Sequence, residues 1–282
     1  MSTRTHRLFL LRAYGDATIA LHFLANSPEK NNYEVIVSSH LKSLINALRS
    51  YIDLSSLKIE FVEFDITKSQ LNLFTNRHLI STNTLHQVNK LKQFVKNNPN
   101  NGGVDYVEQE KKYTLLNLFT GHSFKAIVNK QVYVDMGKFF KSSILIPKPT
   151  SSINKVLIVP NARISARQIP ENIIEYIKTQ LTGTNKSLQI AYFSKENEQK
   201  LQTDSQNEVV SYANFEELLA LINDADFIFG SDSLPIHLCN ALQKPHYILY
   251  PNNGSTAFFT PFSIANKCYA DFDKFSSTHF PI

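Results

Sequence analysis

The feature that most constrains this chain is the alternation of short apolar segments with stretches whose apolar residues recur every three or four positions. Residues 7–11, 33–37 and 58–64 are apolar runs of strand length, and residues 17–25 and 41–51 between them have helical spacing. Strands that alternate with helices pair in parallel through right-handed crossovers. The first part of the chain therefore predicts an α/β domain built on a parallel sheet.

The same alternation restarts after residue 153 and continues to residue 250. The predicted strands are 155–159, 188–193, 209–212, 227–230 and 246–250, and the predicted helices are 170–181, 196–201, 215–222 and 235–242. Residues 144–153 before this series combine two prolines with small polar residues, a composition typical of a short, stiff linker. We expect two doubly wound domains, residues 1–147 and 153–282, that face each other across a cleft.

Composition excludes several classes of protein. The chain has 282 residues, of which 43% are apolar, as a packed globular protein requires, and no apolar run approaches the roughly 20 residues that span a bilayer. A net charge of +5 is spread thinly, so we expect no nucleic-acid partner. Two cysteines cannot form a disulfide framework, which favours the cytoplasm. Neither a Walker A loop nor an HExxH zinc motif is present, and we predict no metal site and no cofactor.

Ligands of parallel sheets bind beyond the carboxyl ends of the strands, so the polar residues that follow each strand are the candidates for a binding site. The first predicted strand is followed by Arg12, Tyr14, Gly15 and Asp16. We expect Gly15 to adopt an unusual backbone angle in a tight turn and Asp16 to lie at the start of the next helix. An ionised Asp16 suits a general base, and it equally suits a helix cap; the two roles are compatible.

A second strand-end segment contains Asp232, Ser233, Leu234, Pro235 and His237. Proline suits the first helical position, and the free N–H groups of a first helical turn, together with a serine hydroxyl, form an anion site. A diphosphate fits such a site, with His237 within reach of a phosphate. The plainer interpretation is an ordinary helix cap with His237 packed against a neighbouring strand.

Two arginines follow the first strand of the second predicted domain. Arg163 and Arg167 carry guanidinium groups that match phosphate oxygens, although surface arginines without a specific role are the commoner case. Residues 224–226 and 271–273 each have the Asp-x-Asp spacing found in some metal-dependent nucleotide-sugar enzymes. That spacing alone is weak evidence, so we assign no metal to either pair.

Taken together, these segments resemble glycosyltransferase family 9, the ADP-heptose:lipopolysaccharide heptosyltransferases. The strongest resemblance lies in residues 225–245, which keep the acidic, hydroxyl, proline and histidine positions of the family's signature and the Lys-Pro pair that follows it. The residues retained are Asp232, Ser233, Pro235, His237, Leu238, Lys244 and Pro245. Residues 258–262 resemble the aromatic segment of the family in altered form.

The resemblance implies a GT-B fold and an inverting transfer without a divalent metal, from a nucleotide-sugar donor, ADP-linked by preference, to a glycan or glycolipid hydroxyl. It implies that Asp16 is the catalytic base and that Arg167 occupies the position of the family's phosphate-binding lysine. Glu196 falls near the acidic residue that contacts the nucleotide ribose. The mild basicity of the chain is compatible with peripheral association at the inner face of an anionic membrane.

Two alternatives stay open at this stage. The chain has Leu234 where the family has a glycine, and its first turn is about two residues shorter than in the family. These departures are compatible with a transferase or an epimerase that uses a different nucleotide-sugar. They are equally compatible with a catalytically silent binding subunit that has kept the fold.

Overall fold

A computed structural model of the chain describes residues 6–11, 13–27, 33–65, 82–107, 117–118, 120–126, 153–193, 207–252 and 260–282. The chain divides into two compact units, Met1–Tyr133 and Val134–Ile282. The domain boundary predicted near residue 150 lies outside the described residues and stays a prediction. No helix in the described ranges is long and apolar enough to cross a membrane.

The first unit is built on a five-stranded sheet in which every pairing is parallel, in the order β3-β2-β1-β4-β5. Its strands are β1 (His6–Leu10), β2 (Tyr33–Ser38), β3 (Lys58–Val62), β4 (Val104–Val107) and β5 (Lys125–Ala126). The central strand β1 is buried along four of its five residues, as expected for a parallel strand covered on both faces. The edge strand β3 instead exposes Lys58 and Glu60, whose charges discourage pairing with another chain.

Helices α1 (Tyr14–Asn26), α2 (Lys42–Leu48) and α3 (Thr82–Asn97) accompany this sheet, and a single 3-10 turn, Ser39–Leu41, precedes α2. The amphipathic pattern of α3 buries Val88, Leu91 and Val95 against Phe9 and Phe64 in one apolar core. The elements predicted up to residue 64 are present with small shifts at their ends. Strands β4 and β5 lie between residues 64 and 153, where no strand was predicted.

The second unit has a six-stranded parallel sheet in the order β11-β10-β9-β6-β7-β8. Its strands are β6 (Lys155–Val159), β7 (Ser187–Phe193), β8 (Asn207–Tyr212), β9 (Phe227–Ser231), β10 (His246–Tyr250) and β11 (Tyr269–Asp271). Read outward from β6, this is the doubly wound order in which the chain reverses direction at the centre of the sheet. The α/β fold with parallel sheets predicted from the alternation is confirmed.

The helices of this unit are α4 (Glu171–Leu181), α5 (Phe215–Asp224), α6 (Leu234–Ala241), α7 (Pro261–Asn266) and α8 (Phe272–Phe275). Helix α5 begins at Asn214, whose side chain accepts a hydrogen bond from the Glu217 N–H, while the Glu217 carboxylate accepts the Ala213 N–H. Helices α7 and α8 begin in the same way at Thr260 and Asp271. The helix predicted at residues 196–201 lies outside the described residues.

Candidate functional site

The sheet order of the second unit determines where a ligand site can form. Strands β6 and β9 are hydrogen-bonded neighbours at the centre of the sheet, and the chain leaves them toward opposite sides. The loops that follow such a pair diverge and leave a crevice beyond the carboxyl ends of the strands. Residues 160–170 follow β6 and residues 232–233 follow β9, so the structure brings together the two segments that the sequence had singled out in this unit.

Ser233 is the residue from which helix α6 starts. Its backbone is extended, with φ −153°, and its side chain makes no capping hydrogen bond to the helix. The Ser233 hydroxyl lies 2.9 Å from the Ser231 hydroxyl and 3.4 Å from the Asn161 carbonyl oxygen. Because the first N–H groups of a helix have no partner within the helix, those of Leu234 and Ile236 remain available to an acceptor, whereas Pro235 has none to offer.

Arg167 links the two loops. It ends the 3-10 turn Ser165–Arg167, and its Nη1 donates a hydrogen bond to the Asp232 carbonyl oxygen at 3.2 Å. The same nitrogen lies 3.9 Å from the carboxylate of Asp232, which is almost fully buried. These contacts hold a guanidinium group beside the start of α6 before any ligand binds. The arrangement places one fixed cation next to a helix N-terminus, which favours an anion.

His237 lies one turn into α6 and is only 8% exposed. Burial, with a smaller contribution from the Arg167 charge, lowers the pKa of His237 to about 4, so the ring is neutral at pH 7. Its Nδ1 has no hydrogen-bond partner among the described residues. A neutral ring with an unsatisfied nitrogen can accept or donate one hydrogen bond, but it adds no positive charge to the site.

Other residues of the same sequence block have a packing role. A Cβ atom on Gly230 would lie 2.8 Å from two side-chain carbons of Ile236, so glycine is what allows α6 to pack closely on β9. The Lys244 ammonium group donates hydrogen bonds to the carbonyl oxygens of Asn223 and Ala225, the latter at 3.3 Å, where helix α5 ends. These two positions therefore support the site without forming part of it.

In the first unit, the predicted catalytic segment has a different backbone from the one expected. Helix α1 begins at Ala13, which makes no side-chain cap, so Tyr14, Gly15 and Asp16 are the first three helical residues. The expected unusual backbone angle at Gly15 is wrong, since Gly15 is helical. Asp16 is likewise not the cap: it is partly exposed in the first turn, where the helix dipole favours its ionised form.

Sequence reasoning missed a cluster of polar residues near Tyr14. His40 follows β2 and Asp65 follows β3; the His40 Nδ1 lies 3.9 Å from the Asp65 carboxylate, and both side chains are largely buried. The Tyr14 ring meets the His40 ring edge-on at 5.8 Å. The Gln87 side chain accepts the backbone N–H of Asp65 at 2.9 Å. Reading every polar residue that follows a predicted strand would have found this cluster.

The two Asp-x-Asp pairs have structural partners. Asp226 accepts the backbone N–H groups of Asn154 and Lys155 at 2.9 Å, and these hydrogen bonds lower the pKa of its carboxyl. Asp224 pairs with the Lys155 ammonium group, and Asp271 caps helix α8. In the part of the chain that the structure describes, no three metal-binding side chains come together.

The remaining predicted site residues fall into three classes. Arg163 lies on the loop after β6 with its side chain exposed. Leu234 and Pro235 form the first turn of α6, with leucine rather than proline as the first helical residue. Arg12 and Glu196 lie outside the described residues, and their predicted roles stay predictions.

Comparison with known proteins adds an independent observation about the second unit. Residues 155–271 match the model of glycosyltransferase family 9 (heptosyltransferase). This range contains both loops of the crevice, from β6 to β11. No curated protein matches the chain significantly in sequence.

Solved structures with a similar fold come from several bacterial glycosyltransferases. The E. coli heptosyltransferase WaaC, solved with ADP-2-deoxy-2-fluoro heptose, has a TM-score of 0.57 at 12% identity, covering 93% of this chain and 98% of that one. The E. coli ADP-heptose lps heptosyltransferase II gives 0.54 at 14% identity, covering 95% and 90%. The glycosyl transferase family 9 protein from Veillonella parvula gives 0.56 at 12% identity, covering 93% and 85%. This likeness confirms the predicted GT-B fold.

Proposed function

We propose that this chain, whose residues 155–271 match the model of glycosyltransferase family 9, transfers a heptose-like sugar with inversion from an ADP-linked donor to a glycan or glycolipid hydroxyl. The family match supports a glycosyltransferase that uses a nucleotide-sugar. The finer statements about donor, acceptor, stereochemistry and metal belong to the proposal. The ADP and ADP-sugar ligands of the solved heptosyltransferases support the choice of donor.

One observation carries the proposal: Arg167 and Asp232, 65 residues apart in sequence, meet at the centre of the second sheet beside a helix start. A leaving diphosphate accumulates negative charge in the transition state, and preorganised donors stabilise that charge at little cost in reorganisation. The first-turn N–H groups of α6, the Ser233 hydroxyl and the Arg167 guanidinium supply such donors. His237 offers a neutral hydrogen-bonding group next to them.

In the first unit, Asp16 takes the role of general base. Its carboxylate accepts the proton of the acceptor hydroxyl while that oxygen attacks the anomeric carbon, and the bond to the diphosphate breaks. The result is one new glycosidic bond with inverted configuration and a released nucleoside diphosphate. Because Arg167 and the helix N-terminus supply positive charge, we propose that a divalent metal is not required; turnover unchanged by EDTA is the expected result.

A thermal-shift panel of nucleoside diphosphates and nucleotide-sugars tests the donor half. A ligand that binds only the folded chain raises the melting temperature, and we expect ADP-linked compounds to give the largest increase. Arg167→Met should reduce that increase, because the loss of one charged contact weakens ligand binding about tenfold. Arg49→Met, at an exposed arginine of the first unit, is the matched control and should leave it unchanged.

Replacement of Asp16 tests the catalytic half. Asp16→Asn should fold and bind the donor as the wild type does, yet lose turnover by roughly 10² to 10³, as expected for the loss of a general base. Asp53→Asn, at an exposed aspartate of the same unit, serves as control. Unchanged turnover in Asp16→Asn would remove this residue from the mechanism, and nucleotide binding without transfer or hydrolysis would favour a silent subunit.

Peripheral membrane contact is part of the same proposal because a glycolipid acceptor resides in a membrane. The net charge of +5 and a pI near 9.0 favour an anionic surface, although each basic residue contributes only about 1 kcal/mol. The protein should cosediment with phosphatidylglycerol vesicles at low salt. With neutral phosphatidylcholine vesicles it should stay in the supernatant.

A further inference from the structure

The first turn of α1 is connected to the rest of the first unit through a chain of polar contacts at the carboxyl edge of the sheet. The Tyr14 hydroxyl donates a long hydrogen bond, 3.5 Å, to the His40 carbonyl oxygen, and the two rings meet edge-on. Beyond His40 lies the Asp65 carboxylate at 3.9 Å, and the Asp65 N–H is held by Gln87 of α3. Three strand ends and two helices thus meet at this cluster.

Burial separates the cluster from direct ligand contact. The His40 side chain is only 4% exposed and that of Asp65 only 13%, so neither presents a surface large enough to hold a sugar. Asp16, by contrast, is partly exposed two residues after Tyr14 on the same turn. A buried group that contacts the turn carrying a reactive side chain acts on chemistry through the geometry of that turn.

A charged group, the Asp65 carboxylate, approaches the His40 ring from the end of β3. Burial and the Asp65 charge raise the pKa of the Tyr14 hydroxyl, which keeps it a hydrogen-bond donor near neutral pH. Tyr14 can therefore hold its contact with the His40 carbonyl oxygen.

We propose that His40 and Asp65 are positioning residues that hold the first turn of α1, through Tyr14, in the orientation that Asp16 needs as a base. The inference rests on the role of Asp16 in the proposed function. The edge-on ring contact and the Tyr14 hydrogen bond hold the turn against His40, and the Asp65 carboxylate approaches the His40 ring from the end of β3. The placement of Asp16 therefore depends on two buried residues that do not touch the substrate.

The first test follows the turn itself and does not need turnover. In NMR spectra of the full chain, His40→Gln and Asp65→Asn should shift the amide resonances of Gly15 and Asp16, because each variant removes a contact that holds the turn. His86→Gln, at an exposed histidine of α3, should leave these resonances unchanged. Unchanged Gly15 and Asp16 resonances in His40→Gln would overturn the proposal.

The second test separates positioning from binding. With an ADP-linked donor, His40→Gln and Asp65→Asn should lower kcat about tenfold and leave the donor KM unchanged, since a misplaced base slows the chemical step without weakening the donor site. Unchanged kcat, or a donor KM that changes in proportion to kcat, would overturn the positioning role.

Tyr14→Phe removes only the hydroxyl group, so it tests the proposal even if the other variants misfold. It should give a smaller loss of kcat, about threefold, with the ring contact preserved. Full turnover in Asp16→Asn would refute the proposed function, and the amide spectra would still decide whether His40 and Asp65 control the turn. The two failures are therefore distinguishable.

Discussion

The two units share one sheet order around their first strands, yet the described side chains that follow their strands differ in charge. After β6 and β9, the second unit presents Arg167 and the N-terminus of α6. In the first unit, Asp16 follows the central strand β1, and Asp65 follows the edge strand β3. The topology determines where side chains converge, and the residues of the loops determine which chemistry results.

The units also differ in the polar contacts that join the amino ends of their central strands, which we call the fastening of each unit. In the first unit, Arg7 and Asp105 form a buried ion pair, and Asn100 and His122 add hydrogen bonds to the same carboxylate at 2.7 Å. Burial opposes ionisation of Asp105, but these hydrogen bonds outweigh it and lower the pKa of its carboxyl. In the second unit, Asp226 accepts the backbone N–H groups of Asn154 and Lys155 and is more accessible. The first fastening is therefore the more sensitive to mutation.

The largest expected effect comes from breaking the buried pair. Arg7→Met leaves Asp105 buried without its main partner, and the free energy of unfolding should fall by about 3 to 5 kcal/mol in urea denaturation. Hydrogen exchange read by mass spectrometry should place the loss in the first unit. Lys90→Met, which removes the partner of the exposed Glu63, is the control, with a loss below about 1 kcal/mol. Similar losses in both variants would show that the two kinds of pair do not differ.

Gly230→Ala tests close packing in the second unit. The added methyl group meets Ile236 at 2.8 Å, so α6 must shift, at a cost of up to about 3 kcal/mol in the free energy of unfolding. Because the shift moves Ser233, the thermal shift induced by ADP should decrease too. In an Ile236→Ala background the same substitution should cost clearly less, and a cost independent of Ile236 would contradict the packing argument.

Acid sensitivity should differ between the units. Burial lowers the pKa of His237 and His246 in the second unit, and of His22 in the first, to about 4. The unfolded chain takes up these protons first, near pH 6.5, so stability is complete above that pH and is lost as the pH falls toward 4. Each histidine costs about 2 kcal/mol by pH 5.

Among the described residues, two histidines with such a lowered pKa lie in the second unit and one in the first, so the second unit should lose about 2 kcal/mol more. Hydrogen exchange of the full chain at pH 7 and pH 5, corrected for intrinsic rates, measures the difference. Equal losses of hydrogen-exchange protection in the two units would contradict this prediction.

The smallest effect is expected at the backbone fastening of the second unit. Asp226→Asn keeps one acceptor oxygen but loses the charge that strengthens two backbone hydrogen bonds, and the partly exposed site screens the loss. We expect a decrease of about 1 kcal/mol in the free energy of unfolding, again by urea denaturation. A loss as large as that of Arg7→Met would mean that the two fastenings are equivalent.

Much of the fold could be predicted because parallel strands buried on both faces are continuous apolar runs. Strands β6, β9 and β10 are of this kind and were predicted to within a residue or two of their observed ends. Strand β5 has only two residues and could not be recognised by periodicity. Gly15 was assigned a turn because glycine is common in turns, whereas helix α1 simply starts earlier than its apolar pattern shows.

The candidate site was predictable only in part. Ser233 and Arg167 each stood out as polar residues after a strand, yet their proximity depends on β6 and β9 being neighbours, a pairing between distant segments. His40 and Asp65 each follow a predicted strand, but nothing local indicates that residues 25 apart in the sequence come together. Burial of His237, which makes it neutral, is equally a tertiary property.

By itself, the sequence determined the alternation of strands and helices, the residues that follow each strand, and the family block at residues 225–245. These properties are local, since they depend on side-chain periodicity and on short-range backbone preferences. Only the tertiary structure decided which strand ends are adjacent, which carboxylates are buried and which histidine contacts Tyr14. Those outcomes come from long-range strand pairing and from the exclusion of water, which no short stretch of sequence encodes.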